Sequence, residues 1–340
     1  TVGFFHHQGC CQLPPDLDRV TETLISLGCS PNVGAALIVS LGCEGTDTER
    51  LYEMIRATGK PVEIIRIQEL GGVSAAIKAG IDAAQELVME ISGMQRQAVD
   101  ISRVTMSIKC GASDTTSGMA SNCVIGYVAD KLVDLGATVV FGETTEFLGG
   151  EHLLARRAVT LEVGQKILDI VDRMEKRARS LGCDMRKGQP TPGNIAGGLS
   201  SIEEKSLGAI VKSGTRPIQG VLEYPERIGE RKGLWIKDTP GREPEILTGM
   251  AATGAQFMLF STGRGAPQGF PTMPVLKICG NPNTYERMQH DMDLNAGRII
   301  TGERSIEEVG EEAYAAVLAL LSGRQTKNET LGYHSSIDIY

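Results

Sequence analysis

Short runs of β-branched and apolar residues alternate with longer helical patterns along this chain, and this alternation constrains its fold more than any other feature. Parallel strands need a crossover connection, usually a helix, between them. The alternation therefore predicts an α/β fold with a mostly parallel sheet and helices on both faces. The predicted strands are residues 2–6, 36–41, 62–67, 104–109, 138–141, 233–236, 257–260 and 274–278.

Helical periodicity fills the segments between these strands. Leu17, Val20, Leu24 and Leu27 recur on one helical face, and Gly28 ends that pattern. The same reasoning predicts further helices at residues 73–91, 119–135, 151–181 and 305–321.

A stretch rich in Pro and Gly, residues 189–198, divides the chain. Such a composition predicts a loop rather than the interior of a helix or strand. We therefore expect two closely packed α/β lobes, residues 1–182 and residues 183–340.

Composition argues against two classes of protein. The net charge of −8, without long runs of one sign, is unlike a nucleic-acid surface, which neutralises phosphates with clustered basic residues. No apolar run approaches the roughly 20 residues needed to cross a membrane, and the first residues do not resemble a secretion signal. We expect a cytoplasmic protein whose eight cysteines are thiols or metal ligands. The strand-like residues at the very start indicate a trimmed beginning.

Three cysteines follow predicted strands and have a glycine beside them: Cys10, Cys43 and Cys110. The carboxyl ends of parallel strands share one edge of a sheet, where ligands bind. Three thiolates at that edge could hold an iron–sulfur cluster or a single soft divalent metal ion. Each cysteine alone could instead be a small buried apolar residue.

Polar residues crowd the same predicted edge. Glu143 and Glu146 could bind a cation or act as acid and base, or could simply be solvated. Ser113 and Asp114 follow Cys110 closely. His6 is favoured over its neighbour His7 as a functional residue, because alternation along a strand points one of them away.

The second lobe carries a candidate anion site in the small-residue loop 261–265, where Arg264 could grip a carboxylate. Lys205 is a candidate base, provided that burial beside a substrate lowers its pKa. The other polar candidates of this lobe are Asn194, Glu204, Ser261, Thr262, Lys277 and Asp293.

At these residues the sequence resembles the altronate and galactarate dehydratase family, which includes the large subunit of sulfolactate sulfo-lyase. The resemblance spans essentially the whole chain. The segments that carry it are His6 with Gly9-Cys10, Leu41-Gly42-Cys43-Glu44, Cys110-Gly111, Ser113-Asp114, Ser117-Gly118, Glu143 with Glu146, Pro192-Gly193-Asn194, Gly197-Gly198, Glu204-Lys205, residues 261–265, Lys277, and Asp293 with Ala296-Gly297.

The resemblance implies a Rossmann-like fold variant and a lyase that removes water from a sugar acid such as altronate or galactarate, giving a 2-keto-3-deoxy acid. It also implies iron, as Fe²⁺ or an iron–sulfur cluster, and a homodimer. Family dehydratases carry a small leading domain that is absent here, which implies a missing domain or a small partner subunit. The sulfo-lyase branch leaves the leaving group, water or sulfite, open.

The mechanistic hypothesis follows from the charge that develops during elimination. A metal ion on the three thiols would stabilise that charge, and Arg264 would hold a distal carboxylate. Lys205 or His6 would be the base, with Glu204 and Asp293 orienting the base or the substrate.

Two other functions stay open at this stage. A nicotinamide oxidoreductase would show a Gly-x-Gly-x-x-Gly turn after the first strand, which residues 6–11 do not supply. A non-catalytic sugar-acid-binding subunit is the remaining alternative.

Overall fold

The computed structural model describes residues 1–6, 8–334 and 336–340. His7, the neighbour from which His6 was distinguished, lies outside the described residues. The strands are β1 (Ala36–Ser40), β2 (Val62–Arg66), β3 (Thr105–Gly111), β4 (Thr138–Phe141), β5 (Ile218–Leu222), β6 (Gly233–Lys237), β7 (Phe257–Thr262), β8 (Val275–Cys279) and β9 (Leu294–Asn295).

The helices connect and cover these strands. They are α1 (Pro14–Gly28), α2 (Thr48–Arg56), α3 (Val73–Ser92), α4 (Asn122–Asp134), α5 (Glu151–Arg156), α6 (Leu161–Ser180), α7 (Met185–Gly188), α8 (Pro192–Ala196), α9 (Ile202–Ile210), α10 (Glu243–Ala252), α11 (Pro282–Arg287), α12 (Gly297–Ile300), α13 (Ile306–Leu321) and α14 (Lys327–Leu331). Short 3₁₀ turns span Ile101–Arg103, Thr144–Glu146 and Val211–Ser213, and a π-helical turn spans Ser117–Ser121.

The described strands form two parallel sheets, which confirms the α/β prediction. The smaller sheet pairs β1 with β2, and the larger has the order β5-β6-β4-β3-β7-β8-β9. Strands β4, β6 and β5 lie on one side of β3, and β7, β8 and β9 lie on the other. Because strand order reverses beside β3, its carboxyl end is where this fold class binds ligands.

Successive side chains of the strands in the large sheet pack into two separate hydrophobic cores, one on each face of the sheet. Val139 joins the core formed with α4 and α13, whereas its neighbour Val140 joins the core formed with α10. This period of two is expected of a sheet covered on both faces. Among the described residues, no helix is long and apolar enough to cross a membrane.

Three local predictions were wrong. Residues 2–6 are not a strand, because the segment packs Phe4 edge-on against Phe270, 6.0 Å between ring centroids, and pairs with no strand of the described chain. Residues 151–181 form two helices, since Thr160 caps the start of α6. Residues 189–198 contain the short helix α8, which Pro192 and a Thr191–Asn194 capping box begin.

The large sheet takes strands from both sides of residue 182. The proposed division into lobes at that position stays a prediction. Two lobes divided at that position would share one sheet, because β3 pairs directly with β7, and β4 pairs directly with β6.

Candidate active site

Five ionisable side chains meet below the carboxyl ends of β3 and β4. Lys109 and Cys110 belong to the end of β3, while Glu143 and Glu146 follow β4. Lys212 reaches them from the 3₁₀ turn after α9. All five are buried, and Lys109, Glu143 and Lys212 are completely inaccessible to water. We call these five residues the charged cluster.

Each member of the charged cluster is held by another member. Lys109 Nζ lies 2.8 Å from Glu143 Oε1, and Glu143 Oε2 accepts the Cys110 backbone N–H at 2.9 Å. The Cys110 thiol donates to Glu146 Oε2 at 2.8 Å. Lys212 Nζ lies 2.9 Å from Cys110 Sγ and 3.2 Å from Glu146 Oε2, and it also pairs with Glu143. Buried charges need such pairing, because unpaired ones are very costly.

Glu143 adopts a left-handed backbone conformation, with φ of 71° and ψ of 59°. A residue with a side chain pays a conformational cost there, so surrounding contacts have to hold it. Its N–H donates to Thr239 Oγ1 at 2.8 Å, and the next residue, Thr144, donates its N–H to the Thr239 carbonyl at 2.9 Å. The loop after β6 thus fixes the Glu143 carboxylate over the end of β3.

The electrostatics of the charged cluster give its members defined protonation states. Burial raises the pKa of the Cys110 thiol well above its usual value, and the charges of Glu143 and Glu146 raise it further. Burial acts to lower the pKa of Lys212, but attraction to Cys110, Glu143 and Glu146 outweighs it and leaves that pKa well above its usual value. Burial also acts to raise the pKa of Glu146, yet the ammonium groups of Lys212 and Lys205 bring it down to about 2. The thiol is therefore neutral, while Glu146 and Lys212 are charged.

Cys110, Glu143 and Glu146 form a candidate metal-binding triad. Their ligand atoms all lie within 4.8 Å of one another, and the described residues hold no other such group of three. One sulfur and two carboxylate oxygens are donors that a divalent metal ion can accept. The donor chemistry therefore fits a divalent metal ion, provided that the Cys110 thiol gives up its proton.

The predicted trio of thiols is not brought together. Cys110 is buried, but Cys10 and Cys43 are exposed, and no close group of ligand atoms in the described chain includes either of them. Cys10 Sγ lies 3.7 Å from its neighbour Cys11, and Cys43 Sγ accepts from Gln68 Nε2 at 3.2 Å. The three thiols are not grouped because residues 2–6 do not extend the large sheet, and β1 belongs to the separate small sheet. A ligand role for Cys10 and Cys43 stays a prediction.

A cleft of about 310 Å³ opens beside the charged cluster. Ser113, Asp114, Glu204 and Lys205, all candidates from the sequence, line it together with backbone of α9 and the π-helical turn. Lys205 connects the cleft to the cluster, since its Nζ lies 3.8 Å from Glu146 Oε1 and donates to Gln189 Oε1 at 2.7 Å.

Asp114 organises the floor of the cleft. Its Oδ1 accepts from the Ser117 N–H at 3.0 Å and from the Thr116 hydroxyl at 2.6 Å, and its Oδ2 accepts from Asn281 Nδ2 at 3.0 Å. Asn194 Nδ2 donates to the Ser113 carbonyl at 2.9 Å. These bonds fasten the loop after β3 to both α8 and the segment after β8.

The small-residue loop 261–265 reaches the same floor, where an added Cβ at Gly263 would lie only 1.9 Å from Asp114 Oδ1. Ser261 is fully buried and bonds Ser121 at 2.7 Å between hydroxyl oxygens, and the Thr262 hydroxyl accepts the Gly265 N–H at 3.0 Å. Arg264 is exposed and donates to the Gly193 carbonyl. Its guanidinium is thus tied to α8 beside Asn194.

The remaining predicted residues lie apart from the lining of the cleft. Lys277 is buried and donates to the Pro267 carbonyl at 2.8 Å and to Asn328 Oδ1. Asp293 accepts the Lys277 and Lys327 backbone N–H groups at 2.8 and 2.9 Å. His6 is partly buried in the segment before α1 and is not among the residues that line the cleft.

Sequence reasoning missed Lys109 and Lys212 as members of the site. Lysines are normally exposed, and nothing in the sequence around Lys212 indicates that this one is buried. Lys109 did offer one signal, because it stands at the end of the predicted strand 104–109, immediately before Cys110.

Comparisons with known proteins identify the family of the chain. The model of the family "D-galactarate/Altronate dehydratase, C-terminal" matches residues 101–340, and "D-galactarate dehydratase/Altronate hydrolase, second domain" matches residues 1–92. The two matches meet between residues 92 and 101.

The chain is similar to curated relatives over nearly its whole length. It is 39% identical to (2R)-sulfolactate sulfo-lyase subunit beta of Chromohalobacter salexigens, over 99% of this chain and 86% of the relative. It is 34% identical to galactarate dehydratase (L-threo-forming) of Escherichia coli, over 94% of this chain and 62% of the relative. It is 32% identical to altronate dehydratase of Bacillus subtilis, over 95% and 64%. The chain thus spans less than two thirds of each of these dehydratases. It belongs to the D-galactarate/altronate dehydratase family of lyases.

Proposed function

We propose that this chain catalyses the elimination of water from a sugar acid such as altronate or galactarate, giving a 2-keto-3-deoxy acid. The observation that carries the proposal is the cleft that gathers Ser113, Asp114, Glu204 and Lys205 beside the buried charged cluster. A cleft of this size, with one reachable cation and several hydrogen-bonding groups in an otherwise apolar lining, suits a small polyhydroxy acid.

Lys205 is the proposed base. Its ammonium group is the cation of the cleft that the cluster does not enclose, and it lies between the Glu146 carboxylate and Gln189. Once neutral, its amine can take the proton beside the substrate carboxylate. In this proposal Ser113 and Asp114 bind substrate hydroxyls, and Arg264, which lies near α8 outside the lining of the cleft, holds the distal carboxylate.

The proposed cofactor is iron, held by Cys110, Glu143 and Glu146. When bound there, an iron ion would supply a Lewis acid for the negative charge that elimination develops. With the thiol deprotonated, the triad carries a formal charge of −3, which Lys109 and Lys212 reduce to −1. A divalent ion would make the site positive, which favours an anionic substrate.

Lys205→Met tests the role of the base. The variant should bind sugar acids, as judged by a thermal shift, but should neither form a 2-keto-3-deoxy acid nor exchange the substrate's α-proton with solvent. Lys187→Met is the matched control, because its side chain is 87% exposed and lies outside the cleft. Undiminished α-proton exchange in Lys205→Met would eliminate this role, and a thermal shift without turnover in the wild type would favour a binding subunit.

A second candidate is removal of sulfite from sulfolactate. It is favoured by the 39% identity to a sulfo-lyase subunit beta and by the 86% coverage of that relative, which exceeds the coverage of the dehydratases. The name of that relative, a subunit beta, also supports a partner chain. Incubating the chain with sulfolactate and assaying free sulfite separates this activity from sugar-acid dehydration.

We also propose that the enzyme works in the cytoplasm, in keeping with its free cysteines.

A further inference from the structure

Asn122, the first residue of α4, carries a hydrogen-bond acceptor that nothing in the described chain satisfies. The residue is 2% exposed and lines the cleft, and its side-chain Oδ1 is shielded from solvent. Among the described residues that line the cleft, no other buried side-chain oxygen or nitrogen lacks a partner. Buried polar groups are nearly always hydrogen-bonded, so an exception inside a cleft of this size points to a ligand.

The amide of Asn122 cannot turn over to remove this exception. Its Nδ2 donates to the Gly208 carbonyl on α9 at 2.7 Å. A reversed amide would set Oδ1 against the Gly208 oxygen, and two acceptors would then face each other. The unsatisfied group is therefore the oxygen, and its ligand has to offer a hydrogen-bond donor. Ionised carboxylates only accept, whereas hydroxyl groups donate, so Asn122 suits a hydroxyl of a sugar acid and not its carboxylate.

Exposure places Asn122 at the floor of the cleft and apolar side chains at its mouth. Met119 and Leu207 line the same cleft and are 63% and 49% exposed. A hydroxyl reaches the shielded Oδ1 if neighbouring side chains give way, and the long, flexible side chain of Met119 is able to do so. A hydrogen bond made at this depth excludes water, so a substrate without the hydroxyl would leave the acceptor unpaired.

The chemistry of elimination decides which hydroxyl Asn122 can bind. Negative charge develops at both reacting carbons, because a proton is removed at one and hydroxide departs from the other. Such charge is stabilised by hydrogen-bond donors or by a metal ion, and an amide oxygen would repel it. Asn122 therefore suits a hydroxyl that lies beyond the reacting carbons and stays on the product.

We propose that Asn122 is a specificity-determining residue, whose Oδ1 accepts a hydrogen bond from a substrate hydroxyl beyond the reacting carbons. This inference rests on the proposed function and narrows its substrate class to acids that carry such a further hydroxyl. Sulfolactate has a single hydroxyl, on the carbon beside its carboxylate, and so offers none of this kind. Asn122 thus favours sugar acids over sulfolactate.

Analogues of the sugar acid test the proposal. Each lacks one hydroxyl beyond the reacting carbons, so each can still lose water. With the wild type, kcat/KM should fall at least about 10-fold for one of them, because the buried acceptor is then left unpaired. Asn122→Leu should lose this preference to within about twofold and should keep the wild-type ratios for the other analogues. Asn283→Leu is the matched control and should keep every ratio, because Asn283 is exposed on α11 and does not line the cleft.

Asn122→Asp separates recognition of the substrate from support of α9. Both variants lose the Nδ2 bond to Gly208, but aspartate keeps an oxygen acceptor, so Asn122→Asp should retain the preference. A purely structural role would slow all substrates alike and leave every ratio unchanged in Asn122→Leu, which would overturn the proposal. A wild type that tolerates the loss of each hydroxyl to within about twofold would overturn it without any variant. A wild type that dehydrates no sugar acid would overturn the proposed function as well.

Discussion

Replacing Lys237 with methionine should stabilise this protein at neutral pH, even though the lysine is fully buried and makes two hydrogen bonds. Its Nζ donates to the Glu226 carbonyl at 2.8 Å and to Thr253 Oγ1 at 2.7 Å. Both acceptors are neutral, and the Glu226 carboxylate is engaged by Arg231 at 2.6 Å. Burial therefore lowers the pKa of Lys237 from 10.5 to about 7.

The magnitude follows from linkage between protonation and folding. A lysine whose pKa falls from 10.5 to about 7 costs folding roughly 5 kcal/mol at pH 7 and below, because each pH unit is worth about 1.4 kcal/mol. Between pH 7 and 10.5 the unfolded chain binds the proton and the folded chain does not. Stability should consequently rise with pH through this window, and the penalty should be gone at its upper end.

Lys237→Met removes the penalty and introduces a smaller cost. The Glu226 carbonyl loses its partner, at about 1–3 kcal/mol, whereas the Thr253 hydroxyl still donates to the Gly249 carbonyl at 3.0 Å. We expect a net gain of roughly 2 kcal/mol in the free energy of unfolding at pH 7. The gain should shrink as pH rises and should reverse near pH 10, where the wild-type amine is neutral and still bonded.

Urea unfolding of both proteins at several pH values measures this difference, and subtracting one from the other cancels the groups that titrate alike in both. Lys187→Met, at a highly exposed lysine, should change stability little at any pH. A Lys237→Met protein that is less stable than the wild type at pH 7, with a difference that does not vary between pH 7 and 10, would refute the reasoning.

Three other changes test the charged cluster. Lys212→Met should cost about 3–5 kcal/mol in urea unfolding, because it leaves buried carboxylates without their ammonium partner, and Lys187→Met should cost almost nothing. Glu146, with a pKa lowered to about 2, should stabilise the fold above pH 4.5, and this contribution should be lost as pH falls towards 2. In Glu146→Gln the free energy of unfolding should therefore depend less on pH in this range. An unchanged pH dependence would contradict this. Gly126→Ala should destabilise by about 1–3 kcal/mol, since its Cβ would lie 2.4 Å from the Val211 carbonyl in the turn that carries Lys212, whereas Gly93→Ala, in open space, should be tolerated.

The layers of the fold could be predicted from the sequence because they depend on local periodicity. The predicted strands after residue 35 coincide with strands of the structure to within two residues at either end, and helix 73–91 matches α3. Strand β5 was missed, since Gly220 interrupts its apolar pattern at the point where the ring of Trp235 packs. Residues 2–6 include residues that favour strands, but they pair with no strand of the described chain, and pairing is a non-local property.

The candidate site could be predicted only in part, for a related reason. Ser113, Asp114, Glu204 and Lys205 were identified as separate polar groups, and the fold brings them to one cleft. The described chain does not bring the three thiols together, because the prediction placed every early strand in one sheet, whereas β1 and β2 form their own.

Glu146 contacts both the charged cluster and Lys205 in the cleft. A substitution in the cluster can therefore affect the side chains of the cleft through Glu146. Its Oε2 accepts from the Cys110 thiol and faces Lys212, while its Oε1 faces Lys205 in the cleft. Removing the Lys212 charge leaves more of the Glu146 charge to attract Lys205, which holds that side chain at the carboxylate and opposes its use as a base. A refolded Lys212→Met protein should therefore turn over more slowly while its affinity for substrate changes little, because Lys212 does not line the cleft. Undiminished turnover would mean that the charged cluster supports the fold alone and has no part in the use of Lys205.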